Sequence, residues 1–164
     1  MMSVKAVFFD CDGVFTDGKI TFDAEGRESR IYDMQDGMGI ALLRQAGVFI
    51  AVMSSSYGGS IEKRMKMLKI KETYTRVKDK AELVREVCER EGFGLEEVAF
   101  VGDDLVDIPP MKIVGLPIAV ANAVPAVREV AKVYTQNSGG DGAIREIAEL
   151  ILSGPITLEG DVVQ

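Results

Sequence analysis

The sequence predicts an α/β fold, a parallel β-sheet with helices on both faces. Short apolar runs stop abruptly at polar, glycine-containing loops, stretches of about a dozen residues with helical spacing separate those runs, and the two alternate along the chain. Strands buried on both faces read as continuous hydrophobic runs rather than as alternating ones, and the runs here have that form.

The first run, residues 4–9, leans towards β and ends at Asp10-Cys11-Asp12-Gly13. Over residues 19–32 the chain alternates loosely around the turn-rich Asp23-Ala24-Glu25-Gly26, which predicts a short β-hairpin inserted after strand one. Ile40, Leu42, Leu43 and Ala46 put a helix over 37–46, Gly47 can close it, and 48–53 is a second buried strand. Ile61, Met65 and Leu68 recur at four and three, so 59–69 is an amphipathic helix, followed by a weak strand near 72–75. Leu83, Val84, Val87 and Cys88 mark the next helix. Residues 98–101 form a strand ending at Gly102-Asp103-Asp104, and Pro109-Pro110 starts a short helix. A strand over 118–120 precedes a helix over 124–131, a strand over 133–135 and a helix over 143–152. Right-handed crossovers between such strands give a Rossmann-like sheet. One domain is expected over residues 1–152, with a C-terminal tail over 153–164.

Composition narrows the chemistry. The chain has 164 residues, 26 acidic against 19 basic side chains and a net charge of −7, so counterion release gives it no affinity for nucleic acid or an anionic membrane. No apolar run approaches the ~20 residues of a membrane span, and nothing resembles an export signal. With two cysteines, Cys11 and Cys88, and no metal-type cluster of them, a reduced cytoplasmic setting fits best. There is no histidine, which excludes imidazole-based triads and histidine-zinc sites. Carboxylate, lysine, hydroxyl or thiol chemistry remains, or a hard cation held by oxygen.

In open parallel sheets ligands bind beyond the carboxyl ends of the strands. The polar residues that follow the apolar runs are Asp10 and Asp12, then Ser54, Ser55 and Ser56, then Lys80 before a helix, then Asp103, Asp104 and Asp107. Singly, each has an ordinary structural reading. An acid pair suits a turn, acids at 103–107 suit a helix start, serine suits a loop and lysine a surface. Cys11, between two acids, reads as a packing residue, because neighbouring carboxylates raise a thiol pKa. Gathered in one crevice, however, the acids repel unless a cation sits among them. A divalent ion with oxygen ligands answers that, magnesium first, and lysine and serine suit a phosphoryl group beside it.

This set resembles the haloacid dehalogenase superfamily of phosphotransferases, whose four motifs are matched in order by residues 10–16, Ser54, Lys80 and residues 102–107. Within it the chain is similar to the capless group of 3-deoxy-D-manno-octulosonate 8-phosphate phosphatases and their relatives acting on phosphorylated nonulosonates. The finer resemblance lies in residues 12–18, Asp36-Gly37-Met38-Gly39-Ile40, 101–107 and 139–146, and it spans residues 4–152.

The resemblance implies a Mg2+-dependent phosphomonoester hydrolase working through an aspartyl-phosphate. It points first to 3-deoxy-D-manno-octulosonate 8-phosphate, within cytoplasmic lipopolysaccharide biosynthesis, and alternatively to a nonulosonate 9-phosphate or another sugar phosphate. It makes Asp10 the nucleophile and a metal ligand. Asp12 becomes the general acid and base, its backbone carbonyl reaching the metal, and Asp103 a direct ligand, with Asp104 and Asp107 completing or orienting the shell. Ser54, Lys80 and the Ser55 N–H would hold the phosphate.

The hairpin stands where other members begin a cap domain and is too short to be one. The resemblance therefore implies a homotetramer with shared active sites, residues 139–142 and the tail lying nearby. In one respect the chain departs from the group: Ser54-Ser55-Ser56 replaces a Thr-Gly-Arg stretch, removing a guanidinium suited to a substrate carboxylate. Arg76, Lys78 or Arg145 could supply that cation. Two readings of other classes stand beside this one. A receiver-like signalling domain uses similar groups but places its lysine after the last acid, whereas Lys80 precedes Asp103. A non-catalytic oligomerisation domain would not require the intact Asp10/Asp12 pair.

Overall fold

The computed structural model describes residues 3–154. Six parallel strands form one sheet: β1 (Ala6–Phe9), β4 (Phe49–Met53), β5 (Glu72–Tyr74), β6 (Val98–Gly102), β7 (Leu116–Ala119) and β8 (Val133–Tyr134). Their order across the sheet is β5-β4-β1-β6-β7-β8. Chain order therefore reverses direction at β1 and β6, and the topological switch point lies beyond their carboxyl ends. β1 is the centre of the sheet, with Phe8 opposite Ala51 on one side and Phe100 on the other, and every residue of β1 and β6 is buried.

The helices are α1 (Met34–Gln45), α2 (Gly59–Met67), α3 (Lys80–Glu91), α4 (Ile108–Met111), α5 (Pro125–Arg128) and α6 (Ala143–Leu152). Helix α1 starts earlier than its apolar spacing suggests, because Asp33 caps it by accepting from Asp36 N–H at 2.8 Å and its first turn carries the exposed Met34. Helix α5 is shorter than expected. Beyond Arg128 the chain tightens into i→i+3 bonds, Val130 N–H to the Val127 carbonyl and Ala131 N–H to that of Arg128.

The insertion after β1 is the hairpin of β2 (Thr21–Phe22) and β3 (Glu28–Ser29), with two residue pairs in register. It is the whole of what stands in the place of a cap domain. The expected tail lies outside the described residues from residue 155 on, and among the described residues no helix is long and apolar enough to cross a membrane.

Candidate active site

β1 delivers Asp10 and β6 delivers Asp103 to the two sides of the switch point. The Asp10 N–H donates to the Val101 carbonyl at 2.9 Å, which locks the nucleophile candidate to the neighbouring strand. Lys80, the first residue of α3, is placed by the Asp79 cap, whose carboxylate accepts from Glu82 N–H at 2.9 Å. Its ammonium donates to Asp10 Oδ1 at 2.8 Å and to Asp107 Oδ1 at 2.7 Å, and all three groups are buried. Asp107 reaches back with its other oxygen to accept from the N–H groups of Asp103, at 3.0 Å, and Asp104, at 3.3 Å. Asp10, Asp103 and Asp107 each offer an oxygen within 4.8 Å of the others.

With all three carboxylates ionised, the single ammonium would leave an excess of two negative charges. Burial raises the Asp10 carboxyl to about 6, helped by the charge of Asp107 and opposed by Lys80. Burial and then the Asp10 and Asp107 charges raise Asp103 to about 8. Burial works against the Lys80 ammonium, but the two carboxylates outweigh it and its pKa rises. Asp103 Oδ1 is buried with no hydrogen-bond partner. An orphaned carboxylate oxygen on a residue clustered with two more carboxylates fits a hard divalent cation.

Gly13 makes this approach possible. It has φ +86°, and a Cβ there would be driven into the Asp103 carboxylate. The loop after β1 is held on itself by Thr16, whose buried hydroxyl accepts from the N–H groups of Gly13, at 3.1 Å, and Gly18, at 3.2 Å. Gly139 and Gly140 pack directly on this loop, Gly140 N–H donating to the Val14 carbonyl at 3.2 Å. Asn122 bridges the two segments, donating to the Gly13 carbonyl at 3.0 Å and accepting from Gly139 N–H at 2.6 Å.

A cleft of about 210 Å³ is lined by Asp10, Asp12, Gly18, Ser54, Ser55, Ser56, Lys80, Asp103, Asp104 and Val106. Ser54 is buried, its hydroxyl accepting from Ser56 N–H at 3.1 Å. The Asp12 carboxylate is turned to Arg30, which donates from Nε to Oδ1 at 2.6 Å and from Nη2 to Oδ2 at 3.3 Å. Asp104 caps the short turn that follows β6. The three candidate substrate cations stand outside the cleft within one chain. Arg76 stacks on Tyr57 at 4.0 Å, Lys78 is exposed, and Arg145 pairs with Glu149 at 2.6 Å on α6.

Residues 46–147 match the profile of the haloacid dehalogenase-like hydrolases. The chain belongs to that family. Among haloacid dehalogenase-like hydrolases it is similar to the 3-deoxy-D-manno-octulosonate 8-phosphate phosphatase KdsC of Yersinia pestis, with 35% identity over 158 residues, 96% of this chain and 84% of that protein. The corresponding phosphatase of Moraxella catarrhalis, in complex with a magnesium ion, a phosphate ion and KDO, superposes with a TM-score of 0.89 at 33% identity, covering 92% of this chain and 86% of that one. A probable YrbI-family phosphatase from Pseudomonas syringae gives 0.90 at 41% identity, with the same two coverages.

Arg30 and Asn122 are the polar groups at this hydrolase site that sequence patterning misses. Each acts across a turn or a crossover rather than directly after a strand. For Arg30 the one sequence signal is its place at the inner end of the inserted hairpin.

Proposed function

We propose that this hydrolase is a magnesium-dependent phosphomonoesterase acting on 3-deoxy-D-manno-octulosonate 8-phosphate. The observation that carries the reading is the convergence of Asp10, Asp103, Asp107 and Lys80 at the switch point, in a chain that matches phosphatases of that substrate over almost its whole length. Asp10, Asp103 and Asp107, with the carbonyl of Asp12, would hold the ion, which supplies charge neutralisation on the transferring phosphoryl oxygens.

Asp10 attacks phosphorus through a carboxylate oxygen, the bond to the sugar oxygen breaks, and Asp12 gives its proton to the departing alkoxide. Water then attacks the aspartyl-phosphate and passes a proton to Asp12. Inorganic phosphate leaves and the Asp10 carboxylate is restored. Ser54, the Ser55 N–H and Lys80 line the cleft where phosphate oxygens would lie, and Lys80 also holds Asp10 in place for attack.

Two further points belong to the same reading. Cys11 and Cys88 are free buried thiols, which supports a reducing, cytoplasmic compartment. Phe22, Ile31, Met34 and Met38 are exposed along the hairpin and the start of α1, which supports a homotetramer in which a neighbouring copy closes each site and supplies the cation that Ser54-Ser55-Ser56 lacks.

Phosphate release from a panel of octulosonate, nonulosonate and simple sugar phosphates tests the function. Magnesium-dependent release is expected, greatest with the octulosonate 8-phosphate. Asp10→Asn should abolish it, and undiminished release by that variant would overturn the mechanism. A nonulosonate 9-phosphate hydrolysed faster would reassign the substrate.

A further inference from the structure

We propose that Arg30 is the positioning residue for Asp12: its guanidinium grips both carboxylate oxygens, Glu28 and Ser60 hold it from the other side, and the hairpin thereby sets the direction in which Asp12 meets the leaving group. This rests on Asp12 as the acid of the proposed reaction. The Arg30 side chain has 0% exposure although it comes from a surface hairpin, so the fold has enclosed a charge it could have left in water. A buried guanidinium is tolerated only where its donors are matched, and here they are. Nε and Nη2 meet Asp12, and Nη1 meets Glu28 Oε1 at 2.5 Å and Ser60 Oγ at 3.0 Å.

A planar fork on both oxygens of a carboxylate fixes its plane as well as its distance, which a lysine cannot do. Asp12 follows Cys11, which is wholly buried, and its carboxylate is 21% exposed towards the cleft. Without Arg30 that side chain would be free to turn about χ1 and χ2. Glu28 gives the arrangement its second property. Because Arg30 has two carboxylate partners, Asp12 can turn towards an oxygen of the substrate without leaving a bare buried cation behind. The same arginine lines a second, larger cleft of about 550 Å³ with Phe22, Glu28, Ser55, Ser56 and Tyr57, and the two clefts share Ser55 and Ser56. A leaving group extending from the phosphate site along this path passes the residue that aims the acid.

The test compares two leaving groups in the magnesium-loaded full chain. A sugar phosphate departs as an alkoxide and needs a proton, whereas p-nitrophenyl phosphate departs as a phenolate and does not. In single turnovers Arg30→Ala should slow release of the sugar about 100-fold and release of nitrophenol less than about threefold, with KM for both nearly constant. Arg30→Lys, which keeps the charge and loses the fork, should recover about tenfold of that loss.

Equal losses with both substrates, no loss with either, or a rise in KM alone would overturn the proposal. Asp12→Asn, measured alongside, separates the two levels. If it shows the leaving-group difference and Arg30→Ala does not, the role of Arg30 fails alone. If Asp12→Asn shows none, the acid assignment fails and this proposal with it. Should Arg30→Ala not fold, as judged by circular dichroism, Arg30→Lys decides: a loss confined to the sugar phosphate supports the positioning role, and an equal or absent loss removes it.

Discussion

At Lys80 one ammonium faces two buried carboxylates, so its removal leaves Asp10 and Asp107 enclosed without a protein cation. Breaking a buried ionic network by deleting one partner costs about 3–5 kcal/mol, and Lys80→Ala should lose that much unfolding free energy in urea at neutral pH. Added magnesium should restore part of the loss, because a cation bound by the folded state alone stabilises it. A variant as stable as the parent would show that these charges are compensated otherwise. Gly13→Ala makes the complementary test. Its φ of +86° and its closeness to Asp103 mean that a methyl must displace a proposed ligand, and magnesium affinity by titration calorimetry should fall by about 10–100-fold, with the circular dichroism spectrum retained. At this scale the sequence made Asp10, Asp12, Asp103 and Lys80 legible because each directly follows an apolar run or opens a helix. Arg30 was not legible. It meets Asp12 across 18 residues through a hairpin of only two pairs, and nothing in the periodicity of residues 19–32 says which side chain turns inward.

Between elements, a buried polar joint outside the cleft ties α1 to the start of α6. Asp36 of α1 accepts from the N–H groups of Ile144, at 3.0 Å, and Arg145, at 3.2 Å, serving as the N-terminal cap that Gly142 has no side chain to provide. Its other oxygen is buried without a partner, and burial, with the nearby Asp33, pushes the carboxyl up to about 6. A carboxyl raised in the folded state binds its proton more tightly there than in the unfolded chain. The stability it contributes is therefore complete below about pH 4 and is lost as pH rises through about 6, by an amount on the order of 2–3 kcal/mol. Asp36→Asn keeps the acceptor, adds a donor and removes the proton, so the difference in unfolding free energy between variant and parent should grow across that window. Asp36→Ala should be weaker than the parent at low pH by about 1–2 kcal/mol, the usual cost of a lost cap. A constant difference between Asp36→Asn and the parent from pH 4 to 7 would show that Asp36 does not titrate there. The elements themselves were readable from buried runs and helical spacing, whereas this joint was not. Residues 36–40 stand out as a pattern, but their partner lies 108 residues away, and only the closed fold puts α1 against α6.

Over the whole molecule, net charge and surface shape point to the same need. Five of the acids that make the chain −7 gather where β1 and β6 end, and a divalent cation would offset part of that excess at the place where it is concentrated. Four of them, Asp10, Asp12, Asp103 and Asp104, line the cleft, and among the described residues a hairpin of two residue pairs stands in the place of a cap domain. That hairpin and the start of α1 carry Phe22 at 67%, Ile31 at 84% and Met34 at 79% exposure, large apolar groups around a polar site. Burying a side chain of this size is worth about 1.5–3 kcal/mol, so a second copy covering several of them gains enough to offset much of the cost of association. On the proposed homotetramer, the protein should sediment as a tetramer at micromolar concentration, and Phe22→Glu with Ile31→Glu should sediment as a smaller, folded species. Because Asp10, Asp12, Lys80 and Asp103 all come from one chain, that species should still hydrolyse p-nitrophenyl phosphate. On the shared-site proposal its kcat/KM for a sugar-acid phosphate should fall tenfold or more, about 1.4 kcal/mol or above in transition-state stabilisation, because the covering copy would supply contacts to the sugar rather than to phosphorus. A parent protein that is monomeric at full turnover on the sugar-acid phosphate would remove the shared site, leaving the aspartate chemistry of the single chain to be judged by Asp10→Asn.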